Sequence, residues 1–287
     1  MSGDLHPDEL PADAATVRAL LAEQAPHLAA LPVRPLTEVG TVNRVFRLGD
    51  ALAVRIPRRA VDGADVEREA AVVPIVATVL RAAVPEVVLA GRPSAALPAA
   101  WSVVRWIDGE RPRPGAVPGA DLAEVVRALR SLDPAALPGA GRATAAAAAA
   151  AVRDAIARLT GFDTARVTAA WDATLEAPVW DGVRVPIHAD LLPPNLLVRR
   201  GRLAGVLDWG TAGAGDPAND LVPAWSCLRG ADRRRFRAAL GGPDGDWARA
   251  KGIALAQALV AIPYYDTTNP GFAALCRATL DEVLADR

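Results

Sequence analysis

Several residue types that often carry chemistry are scarce in this chain of 287 residues. The two cysteines, Cys227 and Cys276, are far apart and lack partners at metal-binding spacing, so neither a disulfide framework nor a zinc site is indicated. The G-x-S-x-G motif of many serine hydrolases is missing, and His188 is the only histidine in a plausible site. Disulfide, zinc and serine hydrolase chemistry therefore have little support.

Long apolar runs and a strong net charge are missing as well. The longest alanine run, 145–151, is flanked by charged residues and is too short to cross a membrane. The first nine residues include three acidic ones and lack the basic start and apolar core of a signal peptide. The formal net charge of −1 provides no basic field for nucleic acid. We therefore expect a cytoplasmic protein without membrane or nucleic-acid partners, and the composition leaves its oligomeric state open.

The segment from Ile187 to Asp208 concentrates scarce residues. The chain has three histidines and four asparagines, yet His188, Asp190 and Asn195 form an H-x-D-x-x-x-x-N arrangement. Apolar runs around it predict short strands over 183–187, 196–198 and 203–207. Asp190 and Asn195 then lie in a loop, and Asp208 directly follows the last of these strands. We expect these three oxygen-bearing side chains to converge.

Convergent carboxylate and amide oxygens are what phosphoryl transfer from a nucleotide needs. Mg²⁺ takes hard oxygen ligands and usually keeps several waters, so one or two protein groups suffice, and we expect Asn195 and Asp208 to supply them. Asp190 can then accept a hydrogen bond from the attacking hydroxyl and orient it in line with the transferred phosphate. The alternative interpretation of the three residues is the solvated rim of a hairpin.

The same segment resembles the catalytic and metal-binding loops of the aminoglycoside phosphotransferase family, which includes macrolide phosphotransferases and is related to the protein kinases. Residues 215–221 resemble the family's G-D-P-x-x-D-L run, and the resemblance extends over about 37–225. It implies an α+β, two-lobed, protein-kinase-like fold. Residues 1–107 would form a small β-rich N-terminal lobe that binds the nucleotide, and residues 108–287 a larger, mainly helical C-terminal lobe that holds the catalytic loop and the acceptor.

We interpret three further residues of the motif region as structural, and not as catalytic residues or ligands. The resemblance assigns His188 to the support of the catalytic loop and not to proton transfer. Asp216 precedes a proline, and we interpret it as a helix cap or turn former and not as a ligand. Asp220 is interpreted in the same way.

The N-terminal half predicts a helix over 13–30, followed by a β-hairpin with strands over 36–48 and 51–56. Gly40 and Asn43 lie in a stretch similar to the family's phosphate-covering turn. The tip of an ordinary hairpin is the alternative.

Arg55 on the second strand occupies the position where kinase-like enzymes usually carry a lysine that holds the nucleotide phosphates. Arginine can also hold phosphate, through a bidentate fork, but it is bulkier than lysine. The resemblance implies a glutamate partner on the following helix, predicted over 64–80 and interrupted at Pro74. Glu69 is the expected partner and Glu67 is the competitor, while a solvent-exposed helix charge is the alternative for either.

The apolar run 101–107 predicts a strand that leads into a proline-rich stretch and marks a lobe boundary. The resemblance implies that main-chain groups here contact the adenine edge, namely the carbonyl of Arg105 and the amide of Ile107.

The remainder predicts helices over 121–132, 143–159, 165–175, 221–228, 233–240 and 247–265. From residue 110 onward the chain has 21 basic and 20 acidic residues, so there is no acidic excess for a polycationic acceptor. Asp266, beside two tyrosines, is a candidate acceptor-binding residue, with a surface turn as the alternative. Trp225 fits an aromatic wall or core packing equally well.

Together these features predict a small-molecule kinase that uses Mg²⁺ and transfers the γ-phosphate of ATP or GTP to a hydroxyl of an antibiotic such as an aminoglycoside or a macrolide. One alternative is a kinase of a metabolic alcohol or sugar, similar to choline or homoserine kinases. Another is a catalytically silent nucleotide-binding module, which Arg55 in place of lysine suggests.

Overall fold

The computed structural model describes residues 5–36, 40–60, 63–140 and 148–286. In the first part of the chain, five strands form one antiparallel sheet in the order β1-β2-β3-β5-β4. The strands are Val33–Pro35 (β1), Asn43–Leu48 (β2), Leu52–Pro57 (β3), Val87–Gly91 (β4) and Trp101–Arg105 (β5). Two helices accompany them, Ala14–Gln24 (α1) and Ala64–Val76 (α2).

Helix α1 packs on the sheet through apolar side chains that recur at helical spacing. The helix predicted over 13–30 ends at Gln24, because Pro26 disfavours helical backbone at the residue before it. A single 3₁₀ turn, Pro26–Leu28, continues the chain toward β1. The buried side chains that join the helix to the sheet are Val17, Leu20, Leu21, Phe46, Val54 and Trp101.

The predicted β-hairpin is confirmed as β2 and β3, although β2 begins at Asn43, later than expected. Strand β3 lies at the centre of the sheet, so Arg55 pairs with Val45 of β2 on one side and with Ser102 of β5 on the other. Helix α2 contains Pro74 and ends two residues after it, at Val76. The predicted extension to residue 80 is wrong, because the chain continues after Val76 as turns closed by the hydrogen bonds Thr78 N–H to Ile75 and Val79 N–H to Val76.

The second part of the chain is mainly helical, as predicted. The helices are Gly119–Arg130 (α3), Ala149–Arg158 (α4), Thr164–Leu175 (α5), Pro223–Ser226 (α6), Gly230–Leu240 (α7), Asp244–Tyr265 (α8) and Pro270–Ala285 (α9). The helix predicted over 143–159 begins on residues 143–147, which lie outside the described residues. Helix α8 is the central element, because α4, α5 and α9 all pack against it. No helix within the described ranges is long and apolar enough to cross a bilayer.

Two short antiparallel sheets belong to the second part of the chain. Strands Val185–Ile187 (β6) and Gly213–Gly215 (β9) form one, and strands Leu196–Arg199 (β7) and Arg202–Val206 (β8) form the other. The three strands predicted around the motif are therefore confirmed.

Strand β8 also connects the two parts of the molecule. The backbone of Ala83 donates to the Ala204 carbonyl (2.9 Å) and accepts from the N–H of Val206 (2.9 Å). A side chain at Gly205 would contact Ile107 at 2.9 Å, so only glycine allows this close approach. The end of β8, where Asp208 follows, is thereby held against the large sheet.

Candidate active site

The loop after β6 is held from inside by Asp220. Its side chain is fully buried, and its two carboxylate oxygens accept hydrogen bonds from the N–H groups of His188 (2.9 Å) and Ala189 (2.8 Å). Burial raises the pKa of Asp220 to about 6, although these two N–H groups oppose the shift. Ala189 has a left-handed backbone (φ 68°), which a non-glycine residue adopts at a cost. The interpretation of Asp220 as a simple turn former misses this function in shaping the loop.

His188 is enclosed and both of its ring nitrogens are engaged. Its Nε2 donates to the carbonyl of Leu207 (3.0 Å), and its Nδ1 accepts from the N–H of Asp190 (3.2 Å). The ring packs edge-on against Trp209, with centroids 4.4 Å apart. This geometry agrees with the interpretation of His188 as a residue that supports the loop, because neither nitrogen is placed to take a proton from a substrate.

Asp190 and Asn195 lie in contact. The side-chain Nδ2 of Asn195 donates to Oδ2 of Asp190 (2.8 Å) and to the Asp190 carbonyl (3.0 Å). The carbonyl of Asn195 accepts from the N–H of Leu207 (2.8 Å), which ties the loop to the end of β8. Since the amide nitrogen of Asn195 is used in these bonds, its amide oxygen is the atom that can ligate a cation.

Asp208 occupies a strained position one residue after that link. Its backbone is left-handed (φ 64°), and the next residue, Trp209, donates its N–H to Oε1 of Glu69 at 3.2 Å. Neighbours on both sides therefore impose the conformation of Asp208. Such strain in a non-glycine residue is frequent at functional sites.

Arg55 forms a bidentate ion pair with Glu69. Its Nη1 donates to Oε1 at 3.1 Å, its Nη2 contacts Oε2, and its Nε donates to the Ser102 hydroxyl at 3.2 Å. The Glu69 side chain is only 3% exposed, whereas Glu67 is exposed. Glu69 is therefore the partner, and the choice between the two glutamates is resolved. Burial lowers the pKa of Arg55, and the charge of Asp208 opposes that shift.

A cavity of about 380 Å³, the first cavity, lies between the sheet and the loop. Its walls include apolar side chains of both parts of the molecule, among them Ala53 of β3 and Leu197 of β7. Sequence reasoning missed Ala53, although it faces the same side of β3 as Arg55, two residues away. The structure brings seven of the predicted site residues to this cavity: Gly40, Asn43, Arg55, Arg105, Ile107, Asn195 and Asp208.

At the edge of the first cavity the backbone after β5 presents a donor. The N–H of Trp106 donates to the Ala51 carbonyl (2.9 Å), while the N–H of Ile107 has no acceptor among the described residues. The Trp106 ring turns away, with its Nε1 on Asp108 (2.9 Å) and the Arg47 guanidinium 4.0 Å from the ring centroid. The Ile107 amide therefore remains for a ligand.

The second cavity, of about 350 Å³, lies beside β6 and β9, against the N-terminal half of α8. Asp216 at its wall accepts from the Ala218 N–H (2.9 Å), as expected of a turn former, and also pairs through both oxygens with Arg249 (2.9 and 3.0 Å). Oδ1 of Asn219 is buried and has no hydrogen-bond partner in the described part of the chain. Most of the remaining wall is apolar: Leu175, Ala177, Pro178, Val179, Trp180, Ile187, Ala214 and Ile253.

Four predicted site residues line neither cavity: Asp190 and Glu69, whose partners Asn195 and Arg55 line the first one, and also Asp266 and Trp225. Asp266 follows the end of α8, and its carboxylate accepts from Arg277 at 3.0 Å. Trp225 is 2% exposed, packs against Trp247, and donates its Nε1 to Asp286 at 2.8 Å. For Trp225 the structure therefore agrees with core packing, the alternative that the sequence left open.

The residues at the end of the first cavity suit Mg²⁺ better than a transition metal. Asp208 and Asn195 offer hard oxygen donors, and no group of three or more histidine, cysteine, aspartate or glutamate side chains within the described ranges could hold a metal. Mg²⁺ usually takes one or two protein groups and fills its other positions with phosphate oxygens and water. The donor set fits that ion.

Comparison with known proteins shows which family and which solved structures this chain is similar to. The family model described as the phosphotransferase enzyme family matches residues 32–253. A solved GDP and kanamycin complex of APH(2")-IIIa is 17% identical, covers 94% of this chain and 99% of that chain, and superposes with a TM-score of 0.72. The apoenzyme of macrolide 2'-phosphotransferase MphH from Brachybacterium faecium is 25% identical, covers 92% of this chain and 97% of that chain, and has a TM-score of 0.60.

A curated relative matches over a short stretch. The uncharacterized protein YcbJ of Bacillus subtilis (strain 168) is 48% identical over 44 residues, which is 15% of this chain and 14% of YcbJ. Because the match spans so little of YcbJ, it indicates a shared segment and carries no information on activity.

Proposed function

Since the chain belongs to the phosphotransferase enzyme family and is a phosphotransferase with a hydroxyl group as acceptor, we propose that it transfers the γ-phosphate of ATP or GTP to a hydroxyl of an antibiotic such as an aminoglycoside or a macrolide. The observation that carries this proposal is the contact between Asp190 and Asn195, next to Asp208 at the end of the first cavity.

In this proposal Asp190 is the catalytic residue. It accepts a hydrogen bond from the acceptor hydroxyl and orients the oxygen in line with the phosphorus. It takes the hydroxyl proton as the new P–O bond forms and the bond from the γ-phosphorus to the β–γ bridging oxygen breaks, which releases the nucleoside diphosphate. Asn195 holds the Asp190 carboxylate by donating to its Oδ2. His188 and Asp220 fix the backbone on which Asp190 stands.

Asn195 and Asp208 would hold Mg²⁺ through their side-chain oxygens. The bound ion would neutralise charge on the phosphate oxygens as it develops. The left-handed backbone of Asp208 keeps its carboxylate at the cavity wall, and the Asn195 carbonyl fixes the preceding residue.

Arg55 takes the place of the usual lysine. Its Nη atoms pair with Glu69, and its position on the cavity wall allows the same guanidinium to contact the nucleotide phosphates. We propose that Gly40 and Asn43 belong to the turn that covers those phosphates, and that the Arg105 carbonyl and the Ile107 amide contact the base. The lobe boundary is proposed after Ile107, since β5 ends at Arg105 and the next helix begins at Gly119.

The second cavity supports an acceptor with a large apolar body, as in macrolides. Ile187 lines that cavity, and Asp190 follows it by three residues. The reach of three residues of chain keeps Ile187 and Asp190 within about 10 Å of each other. The described lining residues of this cavity are mostly apolar, and the one carboxylate among them, Asp216, is already paired with Arg249. A polycation would find little negative charge there.

The decisive experiment measures phosphate transfer from ATP and GTP to aminoglycosides, macrolides and metabolic alcohols. With the best acceptor, Asp190→Ala should lower kcat by about a thousandfold or more without changing the melting temperature by more than a few degrees. Asp154→Asn is the matched control, because this aspartate lies in an exposed ion pair with Arg158. Transfer by Asp190→Ala at the wild-type rate would refute the mechanism, and nucleotide binding without transfer to any acceptor would favour the silent module.

A further inference from the structure

Residues 5–10, the N-terminal strap, lie against the turn of residues 40–42 at the wall of the first cavity. Leu5 and His6 are buried, and the N–H of Leu10 donates to the carbonyl of Arg58, which follows β3. The strap therefore continues the edge of the nucleotide site, although it precedes α1 and is far from the motif segment in sequence.

Glu9 holds the strap to the sheet. Its side chain is 1% exposed, and its carboxylate accepts from the N–H groups of Leu5 (2.5 Å) and His6 (3.2 Å), from Arg44 (2.5 Å) and from Arg58 (2.9 Å). Burial raises the pKa of Glu9, but these N–H groups and guanidinium charges more than compensate and keep it below its ordinary value. A buried carboxylate with this many donors fixes both the strap and the Arg58 side chain.

The carbonyls of the turn are all occupied by the strap and by Arg58. Nε of Arg58 donates to the Gly40 carbonyl (2.7 Å), Nε2 of His6 to the Thr41 carbonyl (2.9 Å), and the N–H of Arg58 to the Val42 carbonyl (2.8 Å). The N–H groups of these three turn residues have no acceptor among the described residues. The carbonyl oxygens of this turn are hydrogen-bonded, while its N–H groups can still donate. Such a turn is suited to binding an anion.

His6 also reaches the helical part of the molecule. With the ring neutral, Nε2 carries the proton that it donates to Thr41, and Nδ1 accepts from the hydroxyl of Tyr264 at 2.7 Å. Tyr264 lies in the last turn of α8, and its ring and that of Tyr265 pack around the His6 ring. One imidazole thus joins the turn of the large sheet to the central helix.

We propose that His6 and Glu9 are positioning residues that set the 40–42 turn for the nucleotide phosphates and couple its position to helix α8. This inference rests on the proposed nucleotide site. Neither residue touches the reacting atoms, so each acts through the backbone of the turn.

The test is the affinity for N-methylanthraniloyl derivatives of ATP and GDP, measured by fluorescence on the full chain. Glu9→Gln and His6→Ala should each weaken binding by about tenfold, the effect of losing one hydrogen bond to a charged or buried group. In turnover, the nucleotide KM should rise while kcat stays within about twofold. Asp8→Asn, an exposed neighbour paired with Arg59, is the matched control and should change neither constant.

A second pair of variants separates positioning from stability. His6→Gln, which keeps a donor, should recover part of the affinity, and Tyr264→Phe should weaken binding in wild type but not in His6→Ala. Lowered melting temperatures with unchanged nucleotide affinity would overturn the inference and leave the proposed function intact. If the wild type binds neither nucleotide, both are overturned.

Discussion

The two cavities differ in the side chains that line them. The first is lined by polar side chains that are paired with charged neighbours: Arg55 pairs with Glu69, and Asn195 donates to Asp190. The second is lined mainly by apolar side chains; of the ionic groups among its described lining residues, Asp216 and Arg249 pair with each other, and Arg184 is the third. Under the proposed function, donor binding thus depends on fixed charge, whereas acceptor choice depends on shape.

Replacing Arg55 should have the largest effect on nucleotide binding at the first cavity. Arg55→Met leaves the buried Glu69 carboxylate without its partner, and we expect nucleotide affinity to fall by about a hundredfold, with a loss of stability of about 3 kcal/mol. Arg55→Lys keeps the positive charge and introduces the residue type that kinase-like enzymes usually carry at this position. This variant should retain nucleotide affinity within about tenfold of wild type. Equal affinities for Arg55→Met and wild type would show that the guanidinium does not contact the phosphates.

The buried carboxylate beneath the loop offers a pH test. The pKa of Asp220 is raised to about 6 in the fold, above its ordinary value of 3.8. The stability that this group contributes is therefore fully present below about pH 4 and is lost as the pH rises through 6, with a slope of at most about 1.4 kcal/mol per pH unit.

Asp220→Asn does not titrate, so the difference in unfolding free energy between wild type and this variant should shrink from pH 4 to pH 7. Chemical denaturation at several pH values measures it, and Asp154→Asn is the control. A difference that grows with pH over this range would show that Asp220 is ionised throughout in the folded state.

The second cavity is best tested by filling it. Ala177→Trp places a bulky side chain at the cavity wall and should raise the acceptor KM by about fivefold, while the nucleotide KM stays unchanged. Ala173→Trp, on the exposed face of α5, is the matched control. Equal acceptor KM values for the two variants would place the acceptor elsewhere, and Asp266 would then be the next residue to replace.

The site residues that the sequence identified share a property. Asp190, Asn195 and Asp208 belong to one motif, and the family resemblance assigns Arg55 and Ile107 to predicted strand positions. Local spacing places such residues on known loops and strand ends, because the period of a strand and the length of a turn are local properties.

The residues that sequence reasoning missed or misassigned depend on contacts between distant segments. Asp220 binds a loop 31 residues earlier in the chain, and His6 meets Tyr264 over a separation of 258 residues. No spacing rule relates such positions. The end of the helix predicted over 64–80 is a smaller error: the helix runs through Pro74, where an interruption was predicted, and ends at Val76.

By itself, the sequence predicted the chemistry of the donor side: oxygen ligands for Mg²⁺, a carboxylate for the acceptor hydroxyl, and an arginine on the strand that the structure places at the centre of the sheet. These assignments depend on residue type and short-range spacing, which the chain carries explicitly. Only the tertiary structure decided that Glu69 and not Glu67 pairs with Arg55, that Trp225 is core, and that residues 5–10 hold the 40–42 turn. Those outcomes depend on which buried charges and carbonyls find partners after the chain has folded, and burial makes an unsatisfied group costly enough to select one arrangement.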